Sequence, residues 1–299
     1  MEALACESGV YYEFNKNNAY TKKVASGTTI KIETYDCYKN QIQSEEISMD
    51  AINWHEINPA TGPIYVEGAL PGDILKVQIE KIEIGSQGVM MVGPGLGVMG
   101  HRIEKRVAKI LPIREEKIIF NGIQIPLNKM IGVIGVAPAG EGVSCETPGA
   151  HGGNMDNKMI TEGATLYFPI FTEGALFSLG DLHAAMGDGE VGVSGIEVPG
   201  AATVTIEVIK GPTIQHPMLE NAEVFTQIAS AQTLDEATKI AIEEMIDRIV
   251  EKSTLSLEEV TMLMSAVGQI EICQIVDPLM TVRFVVPKWL LEELGIELI

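Results

Sequence analysis

The chain has 299 residues, 46% of them hydrophobic, with 41 acidic against 21 basic side chains and a formal net charge of -20. That length and apolar share support a sizeable buried core. The acidic balance excludes nucleic acid and anionic membranes as partners, because a surface of that sign repels them.

Cys6, Cys37, Cys145 and Cys273 are dispersed without CxxC spacing, which reads as free thiols in a reducing cytoplasm. Met1 to Tyr20 has no apolar run of the signal-peptide kind, and no segment is apolar over enough residues to span a bilayer.

In chain order, the pattern is β from Thr28. Ile30, Ile32, Thr34 and Asp36 share parity, so an extended backbone puts Asp36 on the face of two core isoleucines. A carboxylate there is costly unless paired or bound to a cation. Turn clusters at Asn58 to Pro63 and Pro71 to Asp73 frame strands at Ile64 to Val66 and Ile74 to Ile84. Within the second strand the apolar phase changes between Ile79 and Ile82, which predicts a β-bulge. Gly93-Pro94-Gly95-Leu96-Gly97 lacks the lysine and the strand–loop–helix context of a phosphate loop, so it reads as a loop bordering a site.

Lys117 to Ile125 is a hairpin turning on Asn121-Gly122, the type I′ pair. Strands are expected at Met130 to Val136, Thr165 to Ile170 and Thr203 to Ile209. Thr233 with Glu236 and Ser256 with Glu259 open two amphipathic helices, the second ending at Gly268. Strands at Ile270 to Val276 and Thr281 to Val286 follow, then a short helix after Pro287. The sum is a mainly β (α+β) fold with a β-sandwich or barrel-like core and a helical hairpin near the C-terminus. It reads as one domain over 1–299, in which a β-rich portion spanning 1–215 interlocks with an α+β portion spanning 216–299.

Two constellations carry chemistry. Gly180-Asp181-Leu182-His183-Ala184-Ala185-Met186-Gly187-Asp188-Gly189-Glu190 packs carboxylates and an imidazole among glycines. Asp181 and His183 share a strand face with Phe177 and Leu179, as when a strand runs out of the core into a pocket. The glycines at 187 and 189 let the chain fold back so that Glu190 reaches the same pocket. His151-Gly152-Gly153-Asn154-Met155-Asp156 is the second, with Asn154 and Asp156 again at i, i+2. Carboxylates beside a neutral imidazole are ligands for a divalent cation, and a spare carboxylate can serve as general base. Asp36, Asp156, Asp181 and His183 are therefore the expected metal ligands, with zinc first and calcium, manganese or magnesium as alternatives. Glu190 is the expected base and Asp188 the next candidate, while His151 and Asn154 are expected to bind substrate.

The segments NPATGP (Asn58 to Pro63), VEGALPGD (Val66 to Asp73), HGGNMD (His151 to Asp156) and GDLHAAMGDGE (Gly180 to Glu190) resemble those of the acetamidase/formamidase family. LDEATKIAIEEMID (Leu234 to Asp247) and QIVDP (Gln274 to Pro278) are similar to its C-terminal segments, so the resemblance covers essentially the whole chain. Two local departures stand out: Leu70 where relatives usually have glutamate, and Gly192-Val193-Ser194-Gly195 where they often carry Cys-Gly-Thr-Gly. The resemblance implies a largely β, metal-binding hydrolase that splits a short amide, formamide or acetamide, into a carboxylic acid and ammonia.

The residues agree on reaction type. The chain has no Gly-Gly-Ser-Ser nucleophile loop, and Cys145 lacks an adjacent base or stabilising cation. Water activated by a cation remains, with Glu190 or Asp188 taking its proton and passing it to the leaving nitrogen. The rival readings are a non-catalytic β protein that binds a metal or small amide, and a hydrolase of a cyclic or substituted amide. Many strand edges in an apolar chain predict a homo-oligomer, most simply a dimer.

Overall fold

The computed structural model of the chain describes residues 2–211 and 213–299. Two open sheets dominate it. The nine-stranded sheet runs Glu2–Leu4, Thr28–Thr34, Gly200–Ile209, Ile74–Ile84, Thr165–Pro169, Met218–Glu220, Val224–Ala231, Met280–Pro287, Gln269–Gln274. All neighbours are antiparallel except the first pair. The eleven-stranded sheet is centred on Phe177–His183, which pairs with Met130–Gly135, Glu197–Val198 and Ala60–Val66. Neither sheet closes, so the architecture is a two-sheet sandwich and not a barrel.

The largest core lies between the sheets. Ile30, Ile32, Val77 and Ile79 from one meet Ile131, Ile134, Leu179 and Leu182 from the other, all without solvent exposure. Alternation explains the first set, because each of these strands turns one face inward. The central strand Phe177–His183 is buried along its whole length, since it is covered on both faces. A second core joins the C-terminal strands to helices α1 (Leu234–Lys252) and α2 (Leu257–Val267), through Ala237, Ala241, Met245, Val260 and Met264. Helix α3 (Lys288–Leu294) follows Pro287. Among the described residues no helix is long and apolar enough to cross a membrane.

Local signals translate closely. Thr233 accepts from the Glu236 amide, and Ser256 with Glu259 forms the full reciprocal capping box. Asn121 and Gly122 have φ of 50° and 86°, as a type I′ turn demands. The bulge falls opposite Thr203 and Val204, where Glu80 is left without a partner. Two readings change. Gly268 has φ of −72°, so it is no left-handed cap; a Cβ there would meet the Phe284 ring at 2.4 Å. The strand expected from Ile64 begins already at Ala60, and a register shift on the facing strand accommodates Gly62-Pro63. Strands at Gln87–Val92, Val107–Arg114, Met218–Glu220 and Val224–Ala231 add to those read from the sequence.

Candidate active site

Asp181 lies in the central strand but with φ of 57°, and the ladder to Met130–Gly135 skips it, pairing Leu182 with Ile131 and Gly180 with Val133. The residue it faces is Gly132. A Cβ at Gly132 would sit 2.5 Å from both Asp156 Oδ1 and Asp181 Oδ2, so only glycine leaves room for the two carboxylates. Gly195 plays the same role for His183, whose Nδ1 would be 2.5 Å from an added Cβ. Asp156, just past the strand Gly152–Asn154, has φ of 39°, and Glu190 has φ of 45°. Three carboxylate residues in the left-handed region, all of them converging on His183, store backbone strain of the kind that concentrates at functional sites.

These residues meet at His183. Its Nε2 is 3.2 Å from Glu197 Oε2, 3.4 Å from Asp181 Oδ1 and 3.8 Å from Asp156 Oδ1, and all four side chains are at most 4% exposed. Glu190 joins Asp156 and His183, while Cys37 lies beside Asp181 and Glu197. Among the described residues, both oxygens of Asp156, Oδ1 of Asp181, Oε2 of Glu197 and both nitrogens of His183 have no hydrogen-bond partner. Buried polar atoms are nearly always paired, and each orphan costs about 1–3 kcal/mol. Three buried carboxylates with oxygens 3.2–3.8 Å from one imidazole nitrogen fit a divalent cation; an uncharged core would not tolerate them.

Crowding these groups together shifts their titration. Burial alone pulls the His183 pKa down, but Glu197 and Asp181 outweigh it and hold it well above the usual histidine range. Burial pushes Glu197 up to about 7, and burial with the Glu190 charge raises Asp156 well above an ordinary carboxyl. Burial likewise raises Glu190. Cys37 is driven up by burial and by Glu197, which keeps it a thiol.

A cavity of about 380 Å3 opens onto this cluster. At its edge Asn154 Nδ2 donates to Asp277 Oδ2 at 3.1 Å, leaving the buried Asn154 Oδ1 without a donor. Asp277 comes from the C-terminal strand pair. The Gln274 side chain fixes its turn by accepting from the Val276 and Asp277 amides. Gly189 donates to the Cys273 carbonyl at 2.7 Å and accepts from Ile275, which ties the loop bearing Glu190 to that turn.

The remaining expected residues lie elsewhere. Asp36 is beyond the end of its strand. Its Oδ1 accepts from the Tyr38 and Asn40 amides, so a turn satisfies it, and burial raises its pKa to about 6. Asp188 stands outside the cluster, gripped by Arg283 and Lys158; despite partial burial these cations hold its pKa low. His151 packs edge-on against Phe14 at 5.1 Å and lines no part of the cavity. Cys145 is buried, its thiol donates to Tyr11 O at 3.5 Å, and burial raises its pKa. Glu197 and Asp277 are the acidic members that site prediction from sequence missed. Glu197 closes the glycine-rich stretch, and its burial in a strand was the signal available. Asp277 lay within the family-like QIVDP segment, yet nothing local announces that a turn so far downstream returns to the site.

The acetamidase/formamidase family model matches residues 11–145 and 139–290. A predicted acetamidase/formamidase from Thermoanaerobacter tengcongensis superposes with a TM-score of 0.97 at 49% identity, covering 99% of this chain and 98% of that one. An acetamidase from Bacillus halodurans gives 0.96 at 42% identity, covering 98% and 100%. A formamidase from Methylophilus methylotrophus is 25% identical over 62% of this chain and 61% of that one. The chain thus spans about three-fifths of the length of the curated formamidases it matches.

Proposed function

The chain belongs to the acetamidase/formamidase family, and on that premise we propose that it hydrolyses the C–N bond of a small amide at the cluster around His183, with a divalent cation. The observation that carries this reading is the set of unpartnered buried ligand atoms on Asp156, Asp181, His183 and Glu197, the three carboxylates lining a cavity with Glu190 in its wall. Those four side chains would hold the cation, which would supply Lewis acidity toward the amide carbonyl and a water. Zinc suits one imidazole among carboxylates, with manganese, magnesium or calcium as alternatives.

The chain's own residues do the rest. Asn154 Oδ1 and the Asp277 carboxylate offer acceptors for the N–H groups of the amide, which orients the carbonyl toward the cluster. Glu190 takes a proton from the attacking water as its oxygen bonds to the carbonyl carbon. It then passes that proton to the nitrogen as the C–N bond breaks, so the products are a carboxylic acid and ammonia. Burial of the cluster keeps bulk water from competing for these contacts. Cys145 is no rival nucleophile, because it lines no part of the cavity.

Metal content by elemental analysis, measured together with ammonia release from formamide and acetamide, tests the reading. Glu190→Gln should keep metal and fold while losing roughly 10²–10⁴-fold in rate, and His183→Ala should lose metal and activity together. Ammonia release at full rate by metal-free protein in chelator would overturn it. A metal-loaded chain that turns over no amide would favour the binding-protein reading.

A further inference from the structure

The cavity is far larger than a one- or two-carbon amide needs. Acetamide has four heavy atoms and occupies on the order of three water volumes of ~30 Å3, against about 380 Å3 of space. The polar cluster is only part of its lining. Trp54, Ile57, Leu96, Met91, Val193 and Val276 add a hydrocarbon wall. Trp54, Ile57 and Leu96 pack on a satellite core with Tyr38, Ile42 and Met91, so a built element holds this wall in place.

Charge narrows the ligand further. Six carboxyl groups line the cavity: Glu146, Asp156, Asp181, Glu190, Glu197 and Asp277. They repel an acyl group that carries its own anion. Arg106 also lines the cavity, but its guanidinium stacks on the Trp54 ring at 4.3 Å, so it serves as a piece of the wall.

We infer that the substrate is a neutral amide whose acyl group is a branched aliphatic or aromatic hydrocarbon of about four to seven carbons, seated against Trp54, Ile57, Leu96 and Met91. The inference rests on the amidase reading and names its substrate class. Hydrocarbon on that wall releases water from apolar surface, and a buried methylene is worth about a fourfold gain in affinity or kcat/KM.

The test is a series of acetamide, propionamide, isobutyramide, isovaleramide and benzamide, read by ammonia release and by quenching of Trp54 emission. The second tryptophan, Trp289, lies on the C-terminal helix and outside the cavity lining. The expected result is kcat/KM rising along the aliphatic series, with isovaleramide about 60-fold above acetamide. Leu96→Trp should lower the isovaleramide-to-acetamide ratio by tenfold or more, because indole fills the acyl space. A kcat/KM that peaks at acetamide overturns the inference and leaves the amidase reading standing. Release of no ammonia from any amide overturns that reading instead. The fluorescence titration reads the acyl wall independently of turnover: isovaleramide binding no tighter than acetamide overturns the inference, and tighter binding with turnover supports it.

Discussion

Replacing Arg283 by methionine should unhinge the loop that carries Glu190. Arg283 is the largest fully buried side chain, with no solvent exposure. Its Nε donates to Glu271 at 2.7 Å, one terminal nitrogen donates to Asn157 at 3.0 Å and Asp188 at 2.9 Å, and the other donates to Asp188 at 2.7 Å. Breaking a fully buried ion pair costs about 3–5 kcal/mol, chiefly by stranding the partner charge. Here the partners retain water, since Asp188 and Glu271 are 30% and 31% exposed, and Lys158 still holds Asp188 at 2.7 Å. The loss should therefore sit at the lower end, about 3 kcal/mol. Methionine keeps the apolar stem, so little of that loss comes from a cavity.

Equilibrium urea unfolding of wild type, Arg283→Met, Asp188→Asn and the double variant gives both the loss and the coupling. For a bidentate pair with one buried partner the coupling should be about 2 kcal/mol. Asp188 is two residues from Glu190, so kcat should also fall by about tenfold, as a displaced catalytic group costs alignment more than binding. A loss under about 1 kcal/mol with unchanged turnover would refute the argument that this buried hub fixes the loop.

His151 gives a pH prediction. Burial lowers its pKa to about 4, against about 6.5 in the unfolded chain. The unfolded state therefore binds the extra proton between those values, and stability is intact above pH 6.5 and falls as pH drops toward 4. Its contribution between pH 7 and pH 5 is about 2 kcal/mol; urea unfolding at the two pH values should show the stability change of wild type and that of His151→Phe differing by about that amount, wild type being the more destabilised at pH 5. Gly132→Ala places a methyl where two carboxylate oxygens stand at 2.5 Å. Metal content and turnover should each drop at least about tenfold, while far-UV circular dichroism stays native. Full activity in that variant would separate the two carboxylates from catalysis.

The sequence by itself determined what is encoded within a few residues. Thr233, Ser256 and Glu259 cap their helices, Asn121-Gly122 turns its hairpin, and the shift of phase between Ile79 and Ile82 produces a bulge. Each of these depends on one side chain meeting backbone next to it. The acidic and glycine-rich stretches were also legible, because so many carboxylates among apolar residues cannot be core without a reason. Parity did not determine which carboxylates meet. The i, i+2 rule holds only while the backbone stays extended, and it placed Asp36 beside the isoleucines. In the fold, Asp36 lies past its strand and is satisfied by its own turn, while Asp188 faces Arg283. The cluster itself forms where φ turns positive, at Asp156, Asp181 and Glu190, conformations that non-glycine residues adopt only when the surrounding structure imposes them. Gly132, Gly195, Glu197 and Asp277 join through sheet register and a returning C-terminal turn. Those contacts span tens to more than a hundred residues of chain, and long-range pairing is decided by the packing of two whole sheets, which no local pattern records.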